Sequence, residues 1–304
     1  MKGLSKVLVL GILGMSLLPV LAEAADLYVP GGYATIQSAV NAANSGDTIN
    51  VAAGTYNEAV YITKGIALVG AGSNSTTIAA QGLGDTNTVT FNGTATNNAS
   101  ISNFTIMGAT GDYPNGRGIT CSNGSPSITN NTISGNKEGI ICDSSSPSIT
   151  NNTISGNKYE GIRCDSSSPS ITNNTISGNS TGIFCRYSSS PSITNNTISG
   201  SKYGGEGIRC SSSSSPSITN NTISGNSGNG IHCASSSPKI TNNTISGNKY
   251  DGINCYSSFP PLVTTMFGGI VIITSAVMRE QMTSLLILYL LEEATIIYNP
   301  PPLA

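Results

Sequence analysis

SITNNTISGNKYEGIRC, residues 148–164, is the clearest of six near-copies of one phrase that runs from Ser125 to Cys255. A Ser-rich run and Pro169 follow before the next copy opens. Cys121, Cys142, Cys164, Cys185, Cys210, Cys233 and Cys255 mark the period, with spacings of 21, 22, 21, 25, 23 and 22 residues. Self-similarity at this length is the signature of a solenoid or array, and it governs every local assignment.

Within residues 148–164 three short runs stand out: Ser148-Ile149-Thr150, Thr153-Ile154-Ser155 and Gly161-Ile162-Arg163-Cys164. In each, an apolar residue alternates with a polar one, the pattern of a strand with one buried face. Asn151-Asn152, Gly156-Asn157 and the Ser-Ser-Ser-Pro run separate them, all turn formers. Three strands and their corners use up the repeat and leave no room for a helix. The expected fold is therefore all-β: a single right-handed parallel β-helix with one copy per coil and three short strands in each.

Neighbouring coils then pair in parallel, about 4.8 Å apart, and equivalent residues stack in columns. Ile128, Ile149, Ile171, Ile193, Ile218 and Ile240 form one inward column. Ile133, Ile154, Ile176, Ile198, Ile223 and Ile245 form another, and Ile119, Ile140, Ile162, Ile183, Ile208, Ile231 and Ile253 a third. A buried Ile contributes about 1.5–3 kcal/mol. Ordering the backbone costs about 1–2 kcal/mol per residue, so three isoleucines cannot hold a coil alone. Stacking makes the coil stable.

An Asn pair also recurs in every copy, opening at Asn130, Asn151, Asn173, Asn195, Asn220 and Asn242. Asn tolerates left-handed backbone and its amide can bond along a stack. One Asn of each pair is expected to form an internal ladder; the sequence does not say which. The same positions spell the Asn-x-Thr glycosylation pattern, which the repeated corner explains without a sugar.

The remaining chain follows in order. Residues 1–24 have the form of a secretory signal: Lys2 and Lys6, an apolar run from Val7 to Leu21, then Ala22-Glu23-Ala24 as a small-x-small cleavage site. Its removal makes a chain of net charge −2 slightly more acidic. The expected protein is secreted, periplasmic or on the cell surface, with nothing basic enough for nucleic acid. Thr35 to Ala43 carries Ile36, Ala39, Val40 and Ala43 at the spacing of one helical face, and is expected to be the cap helix that a solenoid end requires. Residues 48–51, 59–63, 66–69, 76–79 and 88–91 read as strands. In Ser100-Ile101-Ser102-Asn103-Phe104-Thr105-Ile106 the repeat phrase has begun, with Phe104 in the place of the second Asn.

Residues 33–72, YATIQSAVNAANSGDTINVAAGTYNEAVYITKGIALVGAG, resemble the opening of the pectin-lyase-like superfamily. The repeats from Ser125 to Cys255 resemble the parallel β-helix repeats of NosD-like proteins. The resemblance covers residues 26 to about 264 and implies the fold strongly. Its activities transfer poorly, since one fold hosts many. The paired aspartates, Arg and glutamines of pectin methylesterases have no counterpart, Gln37 and Gln81 being isolated. The Gly-His-Gly of galacturonan hydrolases is missing, because the only histidine, His232, sits in Gly-Ile-His-Cys. The Asp-Pro-His of alginate epimerases is absent. Pectate lyases use clustered aspartates for calcium and a basic residue for proton abstraction, and this pattern has a partial echo.

The echo lies on the third strands. Glu138, Glu160, Glu206 and Asp251 precede the Gly-Ile, Asp143 and Asp165 follow their cysteines, and Arg186 takes that position one coil on. Arg163 and Arg209 share the outward position between Ile and Cys. Glu138, Asp143, Glu160 and Asp165 are candidate Ca²⁺ ligands, and Arg163 with Glu160 and Asp165 is a candidate catalytic group acting on an acidic sugar. The competing reading is a charge ladder in which Arg163 and Arg186 neutralise the acids. Tyr159, Tyr203 and Tyr250, each after a Lys at the corner before the third strand, suit either sugar stacking or turn packing. The Ser-x-Thr and Thr-x-Ser arrays resemble the faces of ice-binding solenoids.

Seven cysteines in an exported chain suggest disulfides, but parallel stacking holds their Cβ atoms farther apart than the bond allows. A buried thiol column is expected, acting as small hydrophobes. After Thr264 the chain turns apolar, with runs at Leu262–Val277 and Leu285–Leu291 too short for membrane spans. Codons for residues 265–304 read one base back can spell further Asn-rich repeat, so this tail is read as out of frame, with a genuine hydrophobic tail as the alternative. The expected protein is thus a β-helix over residues 25–264, monomeric, contacting a polysaccharide or cell-surface glycan, with no cofactor beyond Ca²⁺ at the carboxylates above. A membrane enters only if the tail is genuine. Two functions fit: a carbohydrate-interacting or surface-structural module, or a Ca²⁺-dependent polysaccharide lyase or related enzyme. An ice-binding solenoid is a third reading.

Overall fold

Each coil of the structure, a computed structural model, turns through three short strands that pair only with their counterparts one coil away. It describes residues 23–256 and the backbone of two further strands, Thr264–Met266 and Thr274–Ser275. The expected secretory leader, but for Glu23 and Ala24, and all of the apolar tail but those two strands lie outside the described residues. Every pairing is parallel, and the repeats are in register: Ile128 on Ile149 on Ile171, Ile133 on Ile154 on Ile176, Cys142 on Cys164 on Cys185. The first sheet runs from Asp26–Val29 to Lys239–Ser246, the second from Gly54–Tyr56 into the latter half of that strand, and the third from Val60–Ile62 to Ile253–Tyr256. The expected strands are present; Asp26–Val29 and Gly54–Tyr56 are additional. In the early repeats the third strand is longer than the sequence suggests, six residues in Glu160–Asp165, because it takes in the charged residues on both sides of Gly-Ile-x-Cys.

The three isoleucine columns and the cysteine column are buried and share one core. Two asparagine ladders brace its corners. In each Asn pair the first residue takes the left-handed backbone (Asn151 at φ 58°, Asn173 at φ 56°) and the second is buried. The Oδ1 of Asn152 accepts from the backbone N–H of Asn131 at 2.9 Å, and Asn152 Nδ2 donates to the Ile128 carbonyl at 2.9 Å. Phe104 opens this ladder, its N–H donating to Asn131 Oδ1. The second ladder, Asn136, Asn157, Asn179, Asn226 and Asn248 with Ser201 in one place, follows the same rule at the next corner. The Ser-rich run contributes a third set: Ser145 N–H donates to Ser167 Oγ and Ser167 N–H to Ser189 Oγ, each at 3.1 Å. Buried corners thus keep their backbone groups bonded.

The glycine before each third strand is set by close approach. A Cβ on Gly161 would lie 2.7 Å from the Gly182 carbonyl and 2.9 Å from Ile176 Cγ2, so only glycine lets the second and third strands close on each other.

The helix expected at the amino-terminal end spans Ile36–Ala42, and a capping box between Thr35 and Ser38 starts it. Seven residues are too few for stability alone. Both ends are tied to the next coil: Glu58 accepts from the Ile36 and Gln37 amides at 2.8 Å, and Lys64 Nζ donates to the carbonyls of Asn41 and Ala43 at 2.9 and 2.6 Å. A carboxylate at the positive end and an ammonium at the negative end suit the helix dipole. Among the described residues no helix is long and apolar enough to cross a membrane.

Candidate functional site: an ion ladder and a lysine–tyrosine corner

The third sheet carries the charges. Arg117 Nε lies 3.1 Å from Glu138 Oε2, and Glu138 Oε1 meets the Arg163 guanidinium. Arg163 Nε is 3.1 Å from Asp165 Oδ2, and Asp165 Oδ1 is 2.6 Å from Arg186 Nε. Five side chains on four successive strands thus alternate in sign. Arg163, expected in the outward position between Ile162 and Cys164, is only 5% exposed. Its charge is compensated on both sides, as a buried charge must be. Arg186 lies over the rings of Phe184 and Tyr187, at 5.6 and 4.8 Å from their centroids. Burial, reinforced by the charge of Glu138 and opposed by Arg163 and Arg186, holds the Glu160 carboxyl above the usual carboxylate range.

Glu138, Glu160, Arg163 and Asp165 therefore do come together. Asp143 stays outside the ladder, exposed, with Oδ1 accepting from Ser144 Oγ at 3.3 Å. Both oxygens of Glu138 and of Asp165 are engaged by guanidinium groups. Among the described residues no group of three or more His, Cys, Asp or Glu side chains is placed to hold a metal.

The second arrangement lies at the corner between the second and third sheets, directly after the Asn136 ladder. Lys137, Lys158, Lys202 and Tyr203 line a groove of about 500 Å³ with Thr110 and Asp112. Lys137 is paired with Asp112 at 2.8 Å; no ion pair occupies Lys158 or Lys202 among the described residues. The three expected tyrosines all sit on this corner and are exposed, Tyr203 at 87%. Lys158 and Lys249 lie over the rings of Tyr159 and Tyr250, at 5.5 and 5.4 Å. Lys158 and Lys202 were legible as residues before tyrosines; that they share one groove with Lys137 required the coil geometry.

The seven cysteines are buried and unbridged, as the column geometry predicts. Burial pushes the Cys121 thiol up, away from the reactive thiolate. The hydroxyl columns are in register, Ser148 on Ser170 and Thr150 on Thr172 in the first sheet, Thr153 on Thr175 and Ser155 on Ser177 in the second.

These features define a right-handed parallel β-helix. A family model for the right handed beta helix region matches residues 117–264. A second, described as protein of unknown function DUF1565, matches residues 30–189, and the chain belongs to that family. No curated protein matches the sequence. Among solved structures, the A-module of the Azotobacter vinelandii mannuronan C-5 epimerase AlgE6 is similar, with 18% identity and TM-score 0.58 over 75% of this chain and 69% of that one. The A-module of AlgE4 from the same organism gives 19% identity and TM-score 0.56 over 73% and 69%. The Dettilon tailspike protein gives 15% identity and TM-score 0.51 over 80% and 60%. At these identities the likeness is one of fold, a fold shared with carbohydrate-active enzymes.

Proposed function

We propose that this protein is an exported carbohydrate-interacting module that works by binding rather than by catalysis. The observation that carries this reading is the lysine–tyrosine corner: exposed aromatic rings beside the amino groups of Lys158 and Lys202, which form no ion pair among the described residues. An exposed ring offers a flat apolar face to a sugar, and the ammonium and hydroxyl offer polar contacts at its rim. Two of the similar structures, both mannuronan C-5 epimerase modules, belong to proteins named for a polysaccharide, which agrees in kind. The ion ladder, by contrast, is closed on itself, which suits a structural part better than a proton-transfer centre.

A glycan array probed with the full chain tests the binding reading, and retention of no glycan would sink it. The lyase reading rests on Arg163 beside Glu160 and Asp165 and is tested on the same protein with an ultraviolet assay for unsaturated uronate. Product formation abolished by a chelator and by Arg163→Ala would replace binding with catalysis.

A further inference from the structure

From Lys158 onward the lysine–tyrosine dyads recur every second coil, while Lys137, paired with Asp112, holds the lysine place on the coil before them. Lys158-Tyr159, Lys202-Tyr203 and Lys249-Tyr250 fall on alternate coils, and Ser180 and Ser227 hold the lysine place on the coils between. The backbone fixes this register at Lys158, Lys202, Ser227 and Lys249, which donate their N–H to the ladder residue of the coil before, Asn136, Asn179, Ser201 and Asn226; Ser180 instead donates to the Tyr159 carbonyl. All six dyad side chains are exposed. One coil advances about 4.8 Å, so the dyads recur every ~9.6 Å along the axis.

Tyr203 is held in this row at a cost. Its backbone is left-handed at φ 57°, uncommon for a bulky residue. Gly204 follows at φ 78°, and Gly205 packs onto the Ser180 carbonyl where no side chain fits. The extra residues make this the longest spacing between cysteines, from Cys185 to Cys210, yet the dyad keeps its place. Strain of this kind persists where the surroundings enforce it, often at ligand contacts.

We infer that the lysine–tyrosine row binds one extended, 1,4-linked acidic polysaccharide lying along the solenoid axis, with one sugar per coil and one uronate carboxylate per dyad. This rests on the carbohydrate-binding reading above and names its ligand class. A pyranose ring in an extended 1,4-linked chain advances by about the rise of one coil. In a twofold ribbon successive rings face opposite ways, so the same edge and its carboxylate return at every second ring. That is the period of the dyads. Each tyrosine then stacks on a ring face while its lysine pairs with the carboxylate, and the serines between leave space for the rings turned away.

The test is titration of the full chain with β-1,4-linked mannuronate oligomers of two to eight residues and with cello-oligosaccharides of the same lengths, which share the linkage and lack the charge. Affinity for the uronates is expected to rise in steps of two sugars and to fall with salt. The double variant Lys202→Ala/Tyr203→Ala is expected to weaken the longest oligomer about tenfold, the sum of one stacked ring and one exposed ion pair. Lys239→Ala, remote on the first sheet, is expected to bind as the parent does, and circular dichroism checks that each variant is folded. Cello-oligosaccharides binding as tightly as the uronates, or an unaltered affinity in the double variant, overturns the inference while leaving carbohydrate binding intact. Absence of any glycan binding overturns both.

Discussion

The side-chain oxygen of Asn174 accepts two hydrogen bonds from Asn152 one coil earlier, from its backbone N–H at 2.9 Å and its side-chain amide at 3.0 Å. Asn174 Nδ2 in turn donates to the carbonyls of Ile149 and Thr172 at 2.9 and 3.0 Å. Replacing Asn174 by Ala leaves buried donors and acceptors unpaired. Each such group costs about 1–3 kcal/mol, and a loss of about 3 kcal/mol in chemical denaturation is expected. Asn173→Gly, at the left-handed position next to it, is expected to fold with stability within about 1 kcal/mol of the parent, since glycine accepts that backbone freely.

Removing Arg163 strands two carboxylates. With Arg163→Ala, Glu138 keeps only Arg117 and Asp165 keeps only Arg186. Breaking one side of a buried ion network costs about 3–5 kcal/mol, and thermal melts at neutral pH should show it. A variant as stable as the parent would mean that the ladder is solvated in solution.

Glu160 sets the sign of a pH effect. Burial raises its folded-state pKa, so ionisation is harder in the native protein than in the unfolded chain. Its contribution therefore destabilises above the folded pKa and vanishes below the unfolded value, near pH 4. Glu160→Gln is expected to melt higher than the parent at pH 7, with the difference shrinking as the pH falls to about 4. A lower melting temperature for the variant at pH 7 would refute this.

Asp47 works in the opposite direction. Bonds from the Ala25 and Asn44 amides hold its carboxyl below the usual range. The stability it adds is complete above its unfolded pKa and is lost as the pH drops through the folded value. Asp47→Asn is expected to be less stable than the parent at pH 7 and to converge with it in strong acid, and the amino-terminal coil is the place to look, by hydrogen exchange.

The thiol column predicts silence. Cys121 to Cys255 are buried, so a thiol reagent should label none of the seven in the native protein and all of them in denaturant. Addition of calcium or of a chelator is expected to leave the melting temperature unchanged, because guanidinium groups already occupy the Glu138 and Asp165 oxygens.

The coil, its three strands and its inward columns were legible because the repeat states them six times. The ladder position was half legible: Asn151 and Asn152 are equally suited to a corner, and only the path of the chain decides which turns inward. The second ladder was harder. Asn157 follows Gly156, a combination that reads as an ordinary turn, and its bond to Asn179 spans 22 residues. Four of the ion ladder's five members were named from sequence and Arg117 was missed, while the burial of Arg163 depends on the strands that flank it, which bring Glu138, Ile141 and Phe184 beside it. Tyr159, Tyr203 and Tyr250 were named from sequence; the groove joining Lys137 to Lys202 exists only once the coils are stacked.

Because the Asn amides all point the same way, every rung offers its successor the same docking pattern that it received. Rungs are therefore interchangeable parts. Duplication or loss of one whole unit in the gene would yield a longer or shorter rod with its seams intact, and a few added residues are absorbed at a corner, as in the coil from Cys185 to Cys210. Length is the property such a molecule can vary most easily, and a rod lengthened by pairs of rungs can gain a further lysine–tyrosine contact without a new fold.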